Sequence, residues 1–201
     1  MDVKYTYTTS IDYSRQLEFD YIETYSFRRG EEYEDKITAW KPEYDKFKRR
    51  DEKGKLIDAE ERNRLQELNG IFGYTQYLLD ADGNFHFSSI KTNTFKKDDV
   101  QTVALLQILK TPITEVPRFM CAPEYRDAIA FYNQAGQIVS SLNVCLSCLL
   151  METKMFHHIN ADFETYDLLK RWFMSIGHEV ESPDYFIMDE INRLKDKRKK
   201  S

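Results

Sequence analysis

Cys145-Leu146-Ser147-Cys148 sets two sulfurs three residues apart, and a third thiol, Cys121, precedes them. Sulfurs at this spacing can chelate zinc from one turn of chain, or cycle between dithiol and disulfide. For zinc, Cys121 would add a third thiolate and His157 or His158 a neutral imidazole, a donor set that suits a closed structural site. Against zinc, the single C-x-x-C carries no Gly or Pro to turn a metal knuckle. Against redox chemistry, it closes a strand instead of opening a helix whose dipole would lower a thiol pKa. In a third reading all three are small core hydrophobes in an apolar run. These three readings stay open at the level of sequence.

Other chemistry is thinner. Arg126 places a cation beside the thiols, where it can contact an anion or a partner, or pair with a nearby acid. Asp162 lies four residues after His158 and is a candidate to hold the second nitrogen of a metal-bound imidazole. There is no G-x-S-x-G and no H-E-x-x-H, and 7 glycines argue against a phosphate-cradling loop. Residues 80–84 (DADGN) look like the start of a calcium loop. Its sixth and twelfth positions, however, are Phe85 and Lys91 instead of Gly and Glu.

The elements that must position the thiols are two strands, Asp127–Tyr132 and Ile138–Cys145. Between them Asn133 and Gly136 supply the turn chemistry of a short hairpin loop. If Tyr132 opposes Gln137, Cys121 falls level with Cys148, and their Cα atoms lie within about 7 Å, the reach of a disulfide. Ile138, Leu142, Val144 and Leu146 share one strand face, interrupted by Ser140.

Residues 3–8 and 17–27 alternate and read as strands with one buried face; residues 74–79 and 85–90 read as a second hairpin around DADGN. Helical spacing marks residues 58–72, 98–109 and 162–175, and a last short helix follows Pro183. Residues 151–160 read as a loop or helical turn. Residues 31–55 form a charged, mobile excursion anchored by Trp40. The expected architecture is therefore α+β, a mainly antiparallel sheet of about five to seven strands with three or four packed helices. Residues 1–185 make a single domain; residues 186–201 are a C-terminal helix with a basic tail.

Composition narrows the class of partner. With 13 Tyr, 13 Phe and 2 Trp the chain has ample core material. A net charge of −5 gives no electrostatic reason to bind nucleic acid. No apolar run reaches the roughly 20 residues that span a bilayer, so no membrane is expected. The start lacks a basic and then apolar leader, and three cysteines are an odd count. Both point to a reducing cytoplasm, where the cysteines should be thiols unless metal holds them.

The order of a Cys-x-Pro segment, a strand ending in Phe-Tyr, a polar turn and a strand ending in Cys-x-x-Cys resembles a family of small Bacteroidetes-type bacterial proteins. Its residues here are Cys121, Pro123, Arg126, Phe131, Tyr132, Gly136, Cys145 and Cys148, within residues 95–177. The resemblance implies a small bacterial α+β protein and no known activity. The function expected is that of a non-catalytic binding protein of a bacterial cytoplasm, immunity-like or adaptor-like, acting on another protein without a cofactor. The alternative is a zinc-stabilised or thiol-redox protein centred on Cys121, Cys145 and Cys148.

Overall fold

The computed structural model describes residues 4–55, 58–72, 77–119 and 121–199. Val3, residues 74–76 of the expected second hairpin, and the last two residues of the basic tail lie outside them. The chain is α+β. Seven strands form one sheet in the order β1-β7-β6-β5-β4-β2-β3, antiparallel except where β1 (Thr6–Thr9) pairs parallel with β7 (His157–Asn160). The others are β2 (Tyr21–Phe27), β3 (Ser89–Lys96), β4 (Asp127–Tyr132), β5 (Ile138–Cys145) and β6 (Leu150–Glu152).

All six residues of β4 are buried, because both faces of this strand are covered. On one face Ile129 and Phe131 meet helices α1 (Ser10–Gln16), α4 (Val100–Leu109) and α5 (Phe163–Ser175) through Tyr13, Leu105, Leu169 and Phe173. On the other face Ala128 and Ala130 leave room for Leu78, whose amide donates to Asn143 Oδ1 at 2.7 Å. Asn143 thereby satisfies a buried loop amide from inside the sheet.

The hairpin strands span Asp127–Tyr132 and Ile138–Cys145 as expected, and Gly136 takes the left-handed conformation (φ +74°) that its turn requires. The register differs from expectation. Tyr132 pairs with Ile138 and Phe131 with Ser140, so Val139 is an extra residue, a bulge. The bulge turns Ile138 to the Leu78 face, away from Leu142 and Val144. Ser140, which interrupts the apolar face, is satisfied by the Tyr13 hydroxyl at 2.9 Å.

Among the described residues there are six helices instead of three or four. The two additions are α1 and α2 (Glu31–Asp51). The expected charged excursion is thus a helix of 21 residues. Glu31, Glu32 and Glu34 sit in its first turn and Lys48, Arg49 and Arg50 in its last, which suits the macrodipole. It pairs with α3 (Ala59–Phe72): Tyr44, Leu65 and Leu68 form a small separate core with Trp40 and Phe72 against it, and Arg64 bridges to Glu43 at 2.9 Å. Two further corrections concern strands. Of the expected strand 85–90, residues 85–88 make only an antiparallel bridge, Phe85 to Leu79, and residues 89–90 open β3. Residues 151–160 hold most of β6 and all of β7 instead of a loop or helical turn.

Asp162 caps α5. Its carboxylate accepts from the Glu164 amide at 3.1 Å, the Thr114 amide and hydroxyl at 2.7 Å each, and the Glu115 amide at 3.0 Å. Burial opposes its charge, but these donors more than offset it and hold the carboxyl below the ordinary aspartate value. A depressed folded-state pKa stabilises above the unfolded value, about 3.9, and that contribution is lost as pH falls through the folded value. Asp162→Asn should cost about 1–2 kcal/mol at neutral pH and nothing extra in strong acid. Urea midpoints of the two proteins should converge below about pH 3; parallel curves would contradict this role.

Candidate functional site

At the end of the sheet where β4 begins, a cleft of about 400 Å³ opens between the β5–β6 turn and the α5–α6 connection. Leu146 and Leu149 come from the turn, Phe119 from the segment before β4, and Val180 and Ile187 from the connection into α6 (Ile187–Lys199). These give the cleft apolar walls. Its charged groups are Arg29, Arg126 and Lys170, with Glu124, Asp127 and Glu181.

Each of the three carboxylates is engaged. Arg126 reaches Glu124 at 2.9 Å and Glu181 at 2.5 Å. Asp127 is buried and accepts from His178 Nδ1 at 2.7 Å, with Arg29 at 3.7 Å. The far nitrogen of His178 meets Thr92 Oγ1 at 2.7 Å, and Thr92 in turn donates to the Thr24 carbonyl at 2.9 Å. Thr92 reaches the ring because it is the extra residue of a bulge where Thr24 pairs with Asn93 and Tyr25 with Lys91. The hydroxyl–imidazole–carboxylate order is that of an acid–base relay. Here the hydroxyl already has a carbonyl to donate to, and the seam fastens β3 to β4 and to the loop after α5.

Lys170 stands apart. It is 7 % exposed, and its ammonium donates to the carbonyls of Ser182 and Tyr185 at 2.6 and 2.7 Å. Phe186 lies under it, ring centroid 5.3 Å away. Burial lowers its pKa, while Asp167, Asp184 and Glu181 oppose that through space. Asp167 itself accepts from the Ile187 and Met188 amides at 3.0 and 2.8 Å and starts α6. Lys170 and Asp167, one turn apart, therefore hold the α5–α6 connection over the cleft.

The sequence-derived site residues divide. Cys121 and Cys148 come together as a disulfide with Cα atoms 6.3 Å apart, within the expected reach, and so are not the thiols expected. The ladder does not level them, since β4–β5 pairing ends at Asp127 and Val144; the β5–β6 turn brings Cys148 back. Cys145 is a free, buried thiol. The zinc set is not assembled: two of its sulfurs bond each other, and among the described residues no group of three His, Cys, Asp or Glu could hold a metal ion. His157 and His158 are neighbours on a strand and point to opposite faces. His158 Nδ1 lies 3.0 Å from Glu152 Oε1, a buried carboxylate that also accepts from the Tyr77 hydroxyl and, at 2.6 Å, from that of Tyr125. Asp162 serves the α5 cap instead of a metal-bound histidine.

Arg126 lines the cleft as a neutralised cation. Asp127, Lys170 and His178 were missed as site residues, and two carried a signal. Asp127 shares the face of Ile129 and Phe131, and Lys170 sits four residues after Tyr166 and three before Phe173, inside the apolar stripe of α5.

Fold and cleft together define a mixed α+β protein with a ligand-sized, mainly apolar depression at one end of its sheet. Comparison with family models, with curated proteins and with solved structures finds no match. No helix among the described residues is long and apolar enough to cross a membrane.

Proposed function

We propose that the protein is a non-catalytic binding protein, an adaptor of a bacterial cytoplasm, whose cleft captures the apolar C-terminal residue of a partner polypeptide by its carboxylate. The observation that carries this reading is Lys170. An ammonium has three donors, and two are taken by carbonyls. The cleft's own carboxylates are engaged by Arg29, Arg126 and His178. A monoanion with an apolar side chain would complete the ammonium and fill walls made by Leu146, Leu149 and Val180. Terminal-carboxylate capture is a known way for a domain to read a peptide.

Calorimetric titration with peptides ending in leucine tests the reading. The free-acid peptide should bind at least about tenfold more tightly than the same peptide amidated, the loss expected for one charge-assisted hydrogen bond. Lys170→Met, which keeps the apolar stem, should remove that preference. Equal affinity for acid and amide on the wild-type protein would sink the proposal, even if the variant proved unstable. A short free fatty acid binding as tightly as the peptide would reassign the ligand to a small molecule.

A further inference from the structure

On the other side of Phe119 lies a second cavity, of about 490 Å³, with the Cys121–Cys148 disulfide in its wall. We propose that this disulfide is exchange-active and that the cavity accepts an anionic low-molecular-weight thiol as its substrate. The proposal is independent of the ligand assigned to the cleft.

Access is the first ground. Cys121 is exposed and Cys148 half-buried, and neither belongs to a core cluster. The stretch that carries Cys121 has anchors on both sides of it. Asp162 holds Thr114 and Glu115, and the Tyr125 hydroxyl donates to Glu152 at 2.6 Å. Opening the bond therefore frees an exposed loop and leaves the cores intact. Exposed disulfides are the labile class, whereas structural ones resist small thiols.

Charge is the second ground. In a chain of net charge −5, the cavity wall holds Arg118 and, among the described residues, no aspartate or glutamate. His158 forms part of the floor, its ring 5.0 Å from that of Tyr7 and its Nδ1 turned away to Glu152. Tyr7, 64 % exposed, and Phe119, 54 % exposed, offer ring faces to a peptide-like chain. The volume lies within the range of small-molecule sites.

The chemistry balances without any further reagent. A substrate thiolate attacks the exposed Cys121 Sγ, forming a mixed disulfide. The Cys121–Cys148 bond breaks, and its electron pair leaves on Cys148 Sγ, which takes a proton from water. The resulting thiol has an acceptor in place, the Ala122 carbonyl at 3.6 Å. A second substrate thiolate attacks the substrate sulfur of the mixed disulfide, releasing substrate disulfide and Cys121 as a thiolate that is protonated in turn. Two substrate thiols are oxidised by two electrons, and the protein disulfide is reduced to a dithiol.

The test uses the full oxidised chain with millimolar glutathione, and with 2-mercaptoethanol as a neutral thiol. Mass spectrometry after acid quench should find glutathione on Cys121, with Cys145 unmodified as an internal check that the fold stays closed. Arg118→Glu should lower the glutathione rate relative to the 2-mercaptoethanol rate by about tenfold. Cys148→Ser, which cannot close the bond, should accumulate the adduct on Cys121 when given glutathione disulfide. Three results would each overturn the proposal. One is reduction no faster than that of a buried disulfide in a folded reference protein. Another is modification of Cys145 in step with Cys121. The third is a rate ratio that ignores residue 118.

Discussion

Replacing Phe131 with alanine will cost the fold about 3–5 kcal/mol, the range for emptying an aromatic site in a close-packed core. Phe131 is fully buried on β4, an interior strand flanked by β5 and β2. Its ring meets Phe19 edge-on at 5.1 Å and Tyr13 at 6.2 Å. The cavity would open beneath α1 and α5 at once, and the Tyr13–Ser140 hydrogen bond at its edge would lose its packing support. Urea unfolding should show the midpoint falling with the slope unchanged. A loss under about 1 kcal/mol would mean that the sheet is not organised around β4.

His178→Ala is the second large effect, also about 3–5 kcal/mol. His178 and Asp127 are both buried. Without the imidazole, the Asp127 carboxylate is left with the more distant Arg29, and the strut from β4 to Thr92 on β3 is cut. Asp127→Ala should be costly for the converse reason. The double variant should cost less than the sum of the two by about 1–3 kcal/mol, because each single change strands a polar partner that the double removes. Simple additivity would show that the pair does not act as a unit.

Both effects act through residues of very unequal visibility in the sequence. Phe131 stands in an apolar run beside a polar turn with Asn and Gly, so its strand and its neighbour strand could be read; Cys121 and Cys148 do meet, but through the β5–β6 turn and not through the ladder from which their nearness was expected. The register could not, because one bulged residue, Val139, is set by packing on two faces and leaves no local mark. β6 and β7 are three and four residues long, too short for alternation to declare itself. α2 carries charge on most of its surface, so no apolar stripe announces it; its stability comes from end charges, the Lys36–Glu32 pair at 2.8 Å and contact with α3. The polar seam joins Thr92, Asp127 and His178 across 51 and 86 residues of separation from the histidine. Spacing carries no information over such distances. What the sequence does offer is the anomaly of a charged residue on a core-facing position, as at Asp127 and Lys170.

If Lys170 and the cleft around it form a site for a terminal carboxylate, a peptide's C-terminus must touch the cleft walls. The most direct measurement is amide chemical-shift mapping of the ¹⁵N-labelled protein during titration with a leucine-terminated free-acid peptide. Shifts should concentrate at Leu146, Leu149, Lys170, Val180 and Ile187, saturate together, and be absent with the amidated peptide. Shifts centred on α2 and α3, or identical shifts with acid and amide, would contradict it.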